Sequence, residues 1–167
     1  PVLETLKKDL VLVVTREDKP VGRKQILTPS ATKIWAQKNN VPVATELNID
    51  CYLAIIADYR KIIKHEVYEK PRLGTFNIHF SKLPDLRGPS PVQSTLLRGD
   101  KTAWITIYKL KFYPELKIKM DSGPILWQKE YPILPDDTTE SLYPRLFLEV
   151  AKEIPERQLT FKEAEQE

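Results

Sequence analysis

Asn77 and His79 stand two residues apart in LGTFNIHF (Leu73 to Phe80), a run that otherwise reads as a buried strand. On an extended strand, side chains two positions apart project from one face, about 6 to 7 Å from each other. The amide and the imidazole therefore form a pair. A lone histidine in such a run is more often a satisfied structural group than a chemical one, but here a stiff turn rich in proline, SKLPDLRGPSPVQ, follows at once, beginning with Ser81. At the C-terminal end of a strand in an open α/β sheet, where such folds hold their ligands, the pair lines the rim of a cleft. Asp121 precedes Ser122-Gly123-Pro124, which taken alone is good turn chemistry. Brought near His79, its carboxylate would favour the protonated imidazole and hold the ring in one orientation. The three residue types together suit acyl transfer to an amine, with an amide donor for the developing oxyanion, a histidine for hydrogen bonding or proton transfer, and a carboxylate to orient it. No nucleophilic serine or cysteine is required when the amine attacks directly.

A second constellation is basic. Arg16, Lys19, Arg23, Lys24 and Lys33 crowd Thr15 to Lys33, mixed with Glu17 and Asp18. A solvated surface is the usual meaning of such a run. A loop with Gly22-Arg23 at its tip also has the means to track phosphates or enter a groove of structured RNA. Net charge does not separate the two, because 26 basic against 23 acidic side chains leave only +3. The single cysteine, Cys51, excludes an internal disulfide and reads as a small buried hydrophobe. With only two histidines, His65 and His79, the chain has no cluster of zinc-site spacing, and no metal is expected.

The elements that must position these groups follow from pattern. A chain of 167 residues, 41% hydrophobic and 29% charged, suits one globular domain. LVLVV and YLAIIA are too short to cross a bilayer, and the start lacks a basic-then-apolar signal, so a cytoplasmic protein without a membrane partner is expected. DLVLVVTRE, DCYLAIIAD and LGTFNIHF are near-continuous apolar runs, as strands of a parallel sheet tend to be. Between the first two, TPSATKIWAQKNN predicts a helix capped by Thr28 or Ser30 and ended by Asn39-Asn40, so a right-handed crossover is the default. PVQSTLLRGD predicts a short helix closed by Gly99, TAWITIYKLKFY a strand by its alternation, and GPILWQKEYPI another strand. PDDTTESLYPRLFLEVAKEI predicts a helix with a capping box at Asp137 and Glu140, an apolar stripe of Leu142, Leu146 and Val150, and a kink or irregular first turn at Pro144. The fold class is α/β, helices on a largely parallel sheet.

The same segments carry a resemblance. NIHFSKLPDLRGPSPVQ is similar to the pattern N-[IV]-H-x-S-L-L-P-x-x-R-G-x-x-P-[IL]-Q, with Lys82 in place of a leucine and Val92 as a close apolar substitute. DSGPIL resembles D-x-G-x-[IM]-L, EDKPVGRKQILTPS resembles P-D-x-x-x-G-R-x-x-x-L-x-P-S, and PDDTTESLYPRL resembles D-D-T-x-x-S-L-x-x-[KR]-L. These patterns belong to the N-terminal catalytic domain of the methionyl-tRNA formyltransferases, within the wider formyltransferase family that uses 10-formyltetrahydrofolate. The resemblance implies a Rossmann-like fold over residues 1–155, followed by a charged tail at 156–167. It implies Asn77, His79 and Asp121 as the catalytic trio, and Ser81, Lys82, Leu83 and Pro84 as contacts to the folate co-substrate. Arg23, with Lys24 and Lys19, is implied to meet initiator tRNA. The implied reaction is formyl transfer to the α-amino group of methionyl-initiator tRNA by a monomer. Formylation of a nucleotide-linked amino sugar, or a non-catalytic folate- or RNA-binding remnant, are the rival readings. The family's opening strand with its G-T-P-x-F-A loop and its C-terminal β-barrel have no counterpart here. Arg60 stands where a glycine is expected, and KLKFYPELKIK adds residues before Asp121. An incomplete domain with open sheet edges and low stability is therefore expected.

Overall fold

The computed structural model describes residues 1–59, 61–111 and 120–156. Arg60, residues 112–119 of the KLKFYPELKIK stretch and nearly all of the tail at 156–167 lie outside the described residues. In chain order the elements are α1 (Val2–Leu6), β1 (Val13–Val14), β2 (Lys19–Val21), β3 (Ile26–Thr28), α2 (Ala31–Lys38), β4 (Val43–Ala44) and β5 (Ala54–Ala57). They continue with α3 (His65–Tyr68), β6 (Thr75–His79), α4 (Pro91–Arg98), β7 (Thr102–Lys109), β8 (Ile125–Pro132) and α5 (Thr139–Glu156). They fall into two compact units, one of Leu6–Cys51 and one of Pro1–Thr5 with the chain from Tyr52 onward.

In the smaller unit, β1 and β4 form a parallel pair, Val13 opposite Val43. The first apolar run was expected to cross over through α2 to DCYLAIIAD; the crossover leads first to a strand in VPVATEL, which pairs with it, and two residues carry too little periodicity to announce a strand. The basic stretch from Thr15 to Lys33 is in part an antiparallel hairpin, β2 on β3, turning through Gly22 at φ 70°. Ser30 rather than Thr28 begins α2, its side chain accepting from the Lys33 N–H at 3.0 Å. Asn39 caps the other end, as the sequence predicts. Cys51 is half-buried rather than buried, and burial followed by the neighbouring Asp50 carboxylate pushes its thiol pKa up.

The larger unit is built on a four-stranded sheet in the order β5-β6-β7-β8. The α/β class stands, but only β5 and β6 run parallel in this sheet; β6·β7 and β7·β8 are antiparallel. The apolar run of β6 does mark a parallel neighbour, β5, on one side; the alternation of β7 was the mark of the antiparallel neighbour on the other. Ile78, Ile107 and Trp127 lie in one row across the sheet. On this apolar face sits α5, whose Leu142, Leu146 and Val150 are 0% exposed. Phe80 meets the rings of Tyr143 and Phe147 edge-on at 5.1 and 4.7 Å, and Lys129 pairs with Glu153 at 2.5 Å. α5 runs through Pro144 as one helix. The expected capping box is replaced: Asp137 accepts from the Leu134 N–H and the Ser141 hydroxyl, each at 2.7 Å, and pairs with Arg145. Burial pushes the Asp137 carboxyl up, but these donors outweigh it and hold the pKa below its ordinary value. Among the described residues no helix is long and apolar enough to cross a membrane.

Candidate active site

The opposite face of the same sheet is polar. Asn77 lies directly across from Tyr108 and His79 across from Thr106, and Thr106 is in turn across from Gln128. Residues facing each other across an antiparallel pair have Cβ atoms about 4.5–5.5 Å apart and share a face. Five polar side chains from three strands thus form one patch. Over it folds the turn after β6. Thr106 Oγ1 donates to the Ser81 carbonyl at 2.5 Å and accepts from the Leu83 N–H at 3.4 Å, while Gln128 Nε2 donates to the Leu83 carbonyl at 2.8 Å and to Thr106 Oγ1 at 2.9 Å. The stiff, proline-containing segment is therefore a cover sewn to the strands beneath it.

Asp121 enters this patch from the far end of β7. The Lys109 N–H donates to the Pro124 carbonyl at 3.0 Å, and a Cβ on Gly123 would lie 1.8 Å from the Lys109 carbonyl oxygen. No side chain fits there, so glycine alone lets the turn lie flat against the strand end. Asp121 itself adopts φ 55°, the left-handed region that aspartate tolerates better than most residues.

The result is a chain of contacts. Asn77 Nδ2 donates to Tyr108 Oη at 2.9 Å, and Tyr108 Oη donates to Asp121 Oδ1 at 2.6 Å. Asp121 Oδ2 accepts from the Gly88 N–H at 2.8 Å and lies 3.9 Å from His79 Nδ1, with the two side chains only 10% and 7% exposed. That last separation is a charge contact and too long for a hydrogen bond. The other ring nitrogen, Nε2, is 2.9 Å from the Leu86 carbonyl. A carbonyl only accepts, so Nε2 carries a hydrogen, and in the neutral ring the lone pair sits on Nδ1, on the carboxylate's side. Burial, then the charge of Asp121 and the hydrogen bond to it, drive the Tyr108 pKa far above the ordinary phenol value, with Asn77 opposing weakly. Tyr108 is a neutral donor.

The structure thus brings Asn77, His79 and Asp121 together. Of the turn residues singled out in the sequence, Ser81 and Leu83 are 2% exposed and hold the cover in place, Ser81 also donating to the Asp85 carbonyl at 2.7 Å. Lys82 and Pro84 are exposed, with Lys82 Nζ 4.6 Å above the Trp104 ring. Arg98 ties Asp85 to Asp100 at 2.9 and 2.6 Å, bracing the same turn. Lys19, Arg23 and Lys24 are exposed on the β2–β3 hairpin of the smaller unit. Among the described residues no group of three or more histidine, cysteine, aspartate or glutamate side chains is arranged to hold a metal. Sequence reasoning missed Tyr108, Thr106 and Gln128. The alternation of Trp104, Thr106 and Tyr108 signals a shared face, but not which partners lie across from it.

Fold and site together define an α/β protein with the side-chain complement of a group transferase. Residues 3–157 match the model of the formyl transferase family, and the chain belongs to that family. It is 38% identical to methionyl-tRNA formyltransferase of Bacillus mycoides (strain KBAB4) over 162 aligned positions, which cover 87% of this chain and 49% of that protein. The chain thus spans about half the length of such relatives. Among solved structures it resembles the N-formyltransferase from Helicobacter canadensis in complex with folinic acid and dTDP-3-aminofucose, with TM-score 0.73 and 23% identity over 99% of this chain and 62% of that one. Glycinamide ribonucleotide transformylase 1 from Symbiobacterium toebii matches with TM-score 0.68 and 19% identity over 93% of this chain and 77% of that one.

Proposed function

We propose that this chain transfers a formyl group from 10-formyltetrahydrofolate to the α-amino group of methionyl-initiator tRNA. The observation that carries the reading is the meeting of Asn77, His79 and Asp121 on one polar face, linked through Tyr108. The amine nitrogen attacks the formyl carbon, and the carbonyl oxygen takes up the negative charge. The second Nδ2 hydrogen of Asn77 stabilises that oxyanion, an interaction worth about 3 kcal/mol where one such donor has been removed elsewhere. Collapse restores the carbonyl and breaks the bond to N10 of tetrahydrofolate, which leaves as the neutral amine by taking up the proton that the attacking amine gives up. That proton passes by way of His79 Nδ1, directly or through a water, and the imidazolium so formed faces the Asp121 carboxylate. Lys82 and Pro84 meet the folate with their exposed side chains, while the buried Ser81 and Leu83 hold that edge of the turn in place for it. Lys19, Arg23 and Lys24 take tRNA phosphates. The reading makes the chain a cytoplasmic monomer.

A second reading, formylation of a nucleotide-linked amino sugar, is favoured by the likeness to a sugar 3N-formyl transferase over 99% of this chain. The basic hairpin with its Gly22-Arg23 tip weighs against it, since a small acceptor has no use for a row of phosphate contacts. The deciding experiment offers the purified chain 10-formyltetrahydrofolate with either charged initiator tRNA or a dTDP-amino sugar. Formylation of tRNA, reduced about 10²–10³-fold in His79→Ala, is expected. Equal product from both proteins would remove His79 from the mechanism, and product with the sugar alone would establish the second reading.

A further inference from the structure

We propose that Tyr108 is a positioning residue that fixes Asn77 as a hydrogen-bond donor toward the oxygen on which charge develops. The inference rests on the formyl-transfer reading for its kinetic consequence, but its geometric basis stands apart from it. A phenol has one hydrogen. In this site that hydrogen is given to Asp121 Oδ1 at 2.6 Å. Oη then turns only lone pairs toward Asn77, 2.9 Å away. The amide must answer with its nitrogen, because its carbonyl oxygen facing Oη would set two acceptors against each other.

An asparagine amide is nearly symmetric in shape, and little but its hydrogen-bond partners decides which end points where. Here the orientation is settled by a relay that begins at a carboxylate. Asp121 Oδ2 is occupied by the Gly88 N–H at 2.8 Å and faces His79 Nδ1 at 3.9 Å. Oδ1 takes the phenol hydrogen, and the phenol carries the direction of the carboxylate across to the amide. Tyr108 is 4% exposed, so water does not supply a competing partner freely. With the nitrogen held, the second Nδ2 hydrogen is aimed once and for all. Without the hydroxyl, the amide can turn by half a rotation and present its oxygen to an oxyanion. Such a defect slows the chemical step without weakening the binding of either substrate.

The test uses the full chain and its Tyr108→Phe, Asn77→Ala and doubly substituted variants. Tyr108→Phe is expected to lower kcat about 10- to 100-fold with both KM values changed less than about threefold, the rate being taken per active site from single-turnover amplitudes so that a loss of folded protein is not counted. In the Asn77→Ala background, Tyr108→Phe should cost almost nothing more, because the residue it positions is gone. Unchanged kcat, or losses that multiply independently in the double variant, would overturn the proposal. A second arm needs no variant: in protein carrying ¹⁵N only in asparagine side chains, the Asn77 Nδ2 hydrogens should show a nuclear Overhauser effect to the Tyr108 hydroxyl or ring. Its absence also overturns the proposal. If the unaltered chain formylates neither acceptor, the functional reading falls, and this second arm still decides the orientation of Asn77.

Discussion

His79 and Asp121 illustrate how little of a site's electrostatics resides in any one side chain. The imidazole is held by the Leu86 carbonyl, and the carboxylate is divided among a phenol, a backbone N–H and the ring. One consequence is open to titration. Asp121 contributes twice to the upward displacement of Tyr108, by its charge and by accepting its hydrogen, while burial contributes independently. Asp121→Asn removes the charge and leaves the burial. The phenol of Tyr108 should then ionise at lower pH than in the unaltered chain, though still above an ordinary tyrosine, as read by ultraviolet difference spectra against Tyr108→Phe. Activity should fall about 10²-fold. The sign for stability follows: a tyrosine whose folded pKa exceeds its unfolded value of about 10 stabilises the fold fully below that pH. That stability is lost as pH rises through the folded pKa, so an alkaline decline should be shallower in Tyr108→Phe. An unchanged alkaline limb would show that Tyr108 is not the group responsible. At this scale Asn77 and His79 were readable as partners because strand periodicity places them on one side. Tyr108 was not, because nothing local to WITIYKL says which residue of another strand lies across from it.

Elements set what the residues cannot. The turn from Asp121 to Pro124 reaches the polar patch only because Gly123 permits close approach to the end of β7. Gly123→Ala would put a methyl group 1.8 Å from the Lys109 carbonyl oxygen, so the turn must move and carry Asp121 with it. The expected cost is about 3 kcal/mol in chemical denaturation, together with loss of formyl transfer in whatever fraction stays folded. Full activity in this variant would show that the turn can shift without displacing the carboxylate. Three helices were legible from pattern, α2 from Ser30 and Asn39, α4 from Gly99, and α5 from its stripe of leucines and valine, while the short α1 and α3 were not. Strand direction was legible in part: the apolar runs at β1, β5 and β6 each have a parallel partner, as they suggest, but the antiparallel pairing of β7 with β6 and β8 was not read. β6 is covered on one face by α5 and on the other by its own following turn, which gives it the apolar density of a strand between parallel neighbours. The hairpin β2–β3 was hidden for the opposite reason, since all three residues of β2 are exposed and their pattern is that of a loop.

For the molecule as a whole, composition excluded more than it identified. A surplus of three positive charges does not reveal a nucleic-acid partner, yet Lys19, Arg23 and Lys24 stand out in solvent on one hairpin. If Arg23 takes a tRNA phosphate, Arg23→Ala should weaken tRNA binding and flatten the logarithmic dependence of affinity on salt by about one unit of slope. Formylation of a small amino acceptor, if any occurs, should be untouched. An unaltered salt slope would take Arg23 out of the interface. The matching of family motifs from the hairpin to α5 was visible in the sequence because such motifs are short and contiguous. The direction of two strand pairs and the role of Tyr108 were invisible because they are decided by register between distant segments.

The four-stranded sheet also separates two duties by side. Cohesion is concentrated under α5, in Leu142, Leu146, Val150 and the ring cluster at Phe80, while the groups suited to reaction lie on the reverse. Selection, natural or in the laboratory, can therefore rewrite what this surface recognises through outward side chains such as Lys82 and Pro84, whereas Thr106 and Gln128, which pin the turn above them, are bound to the scaffold's endurance.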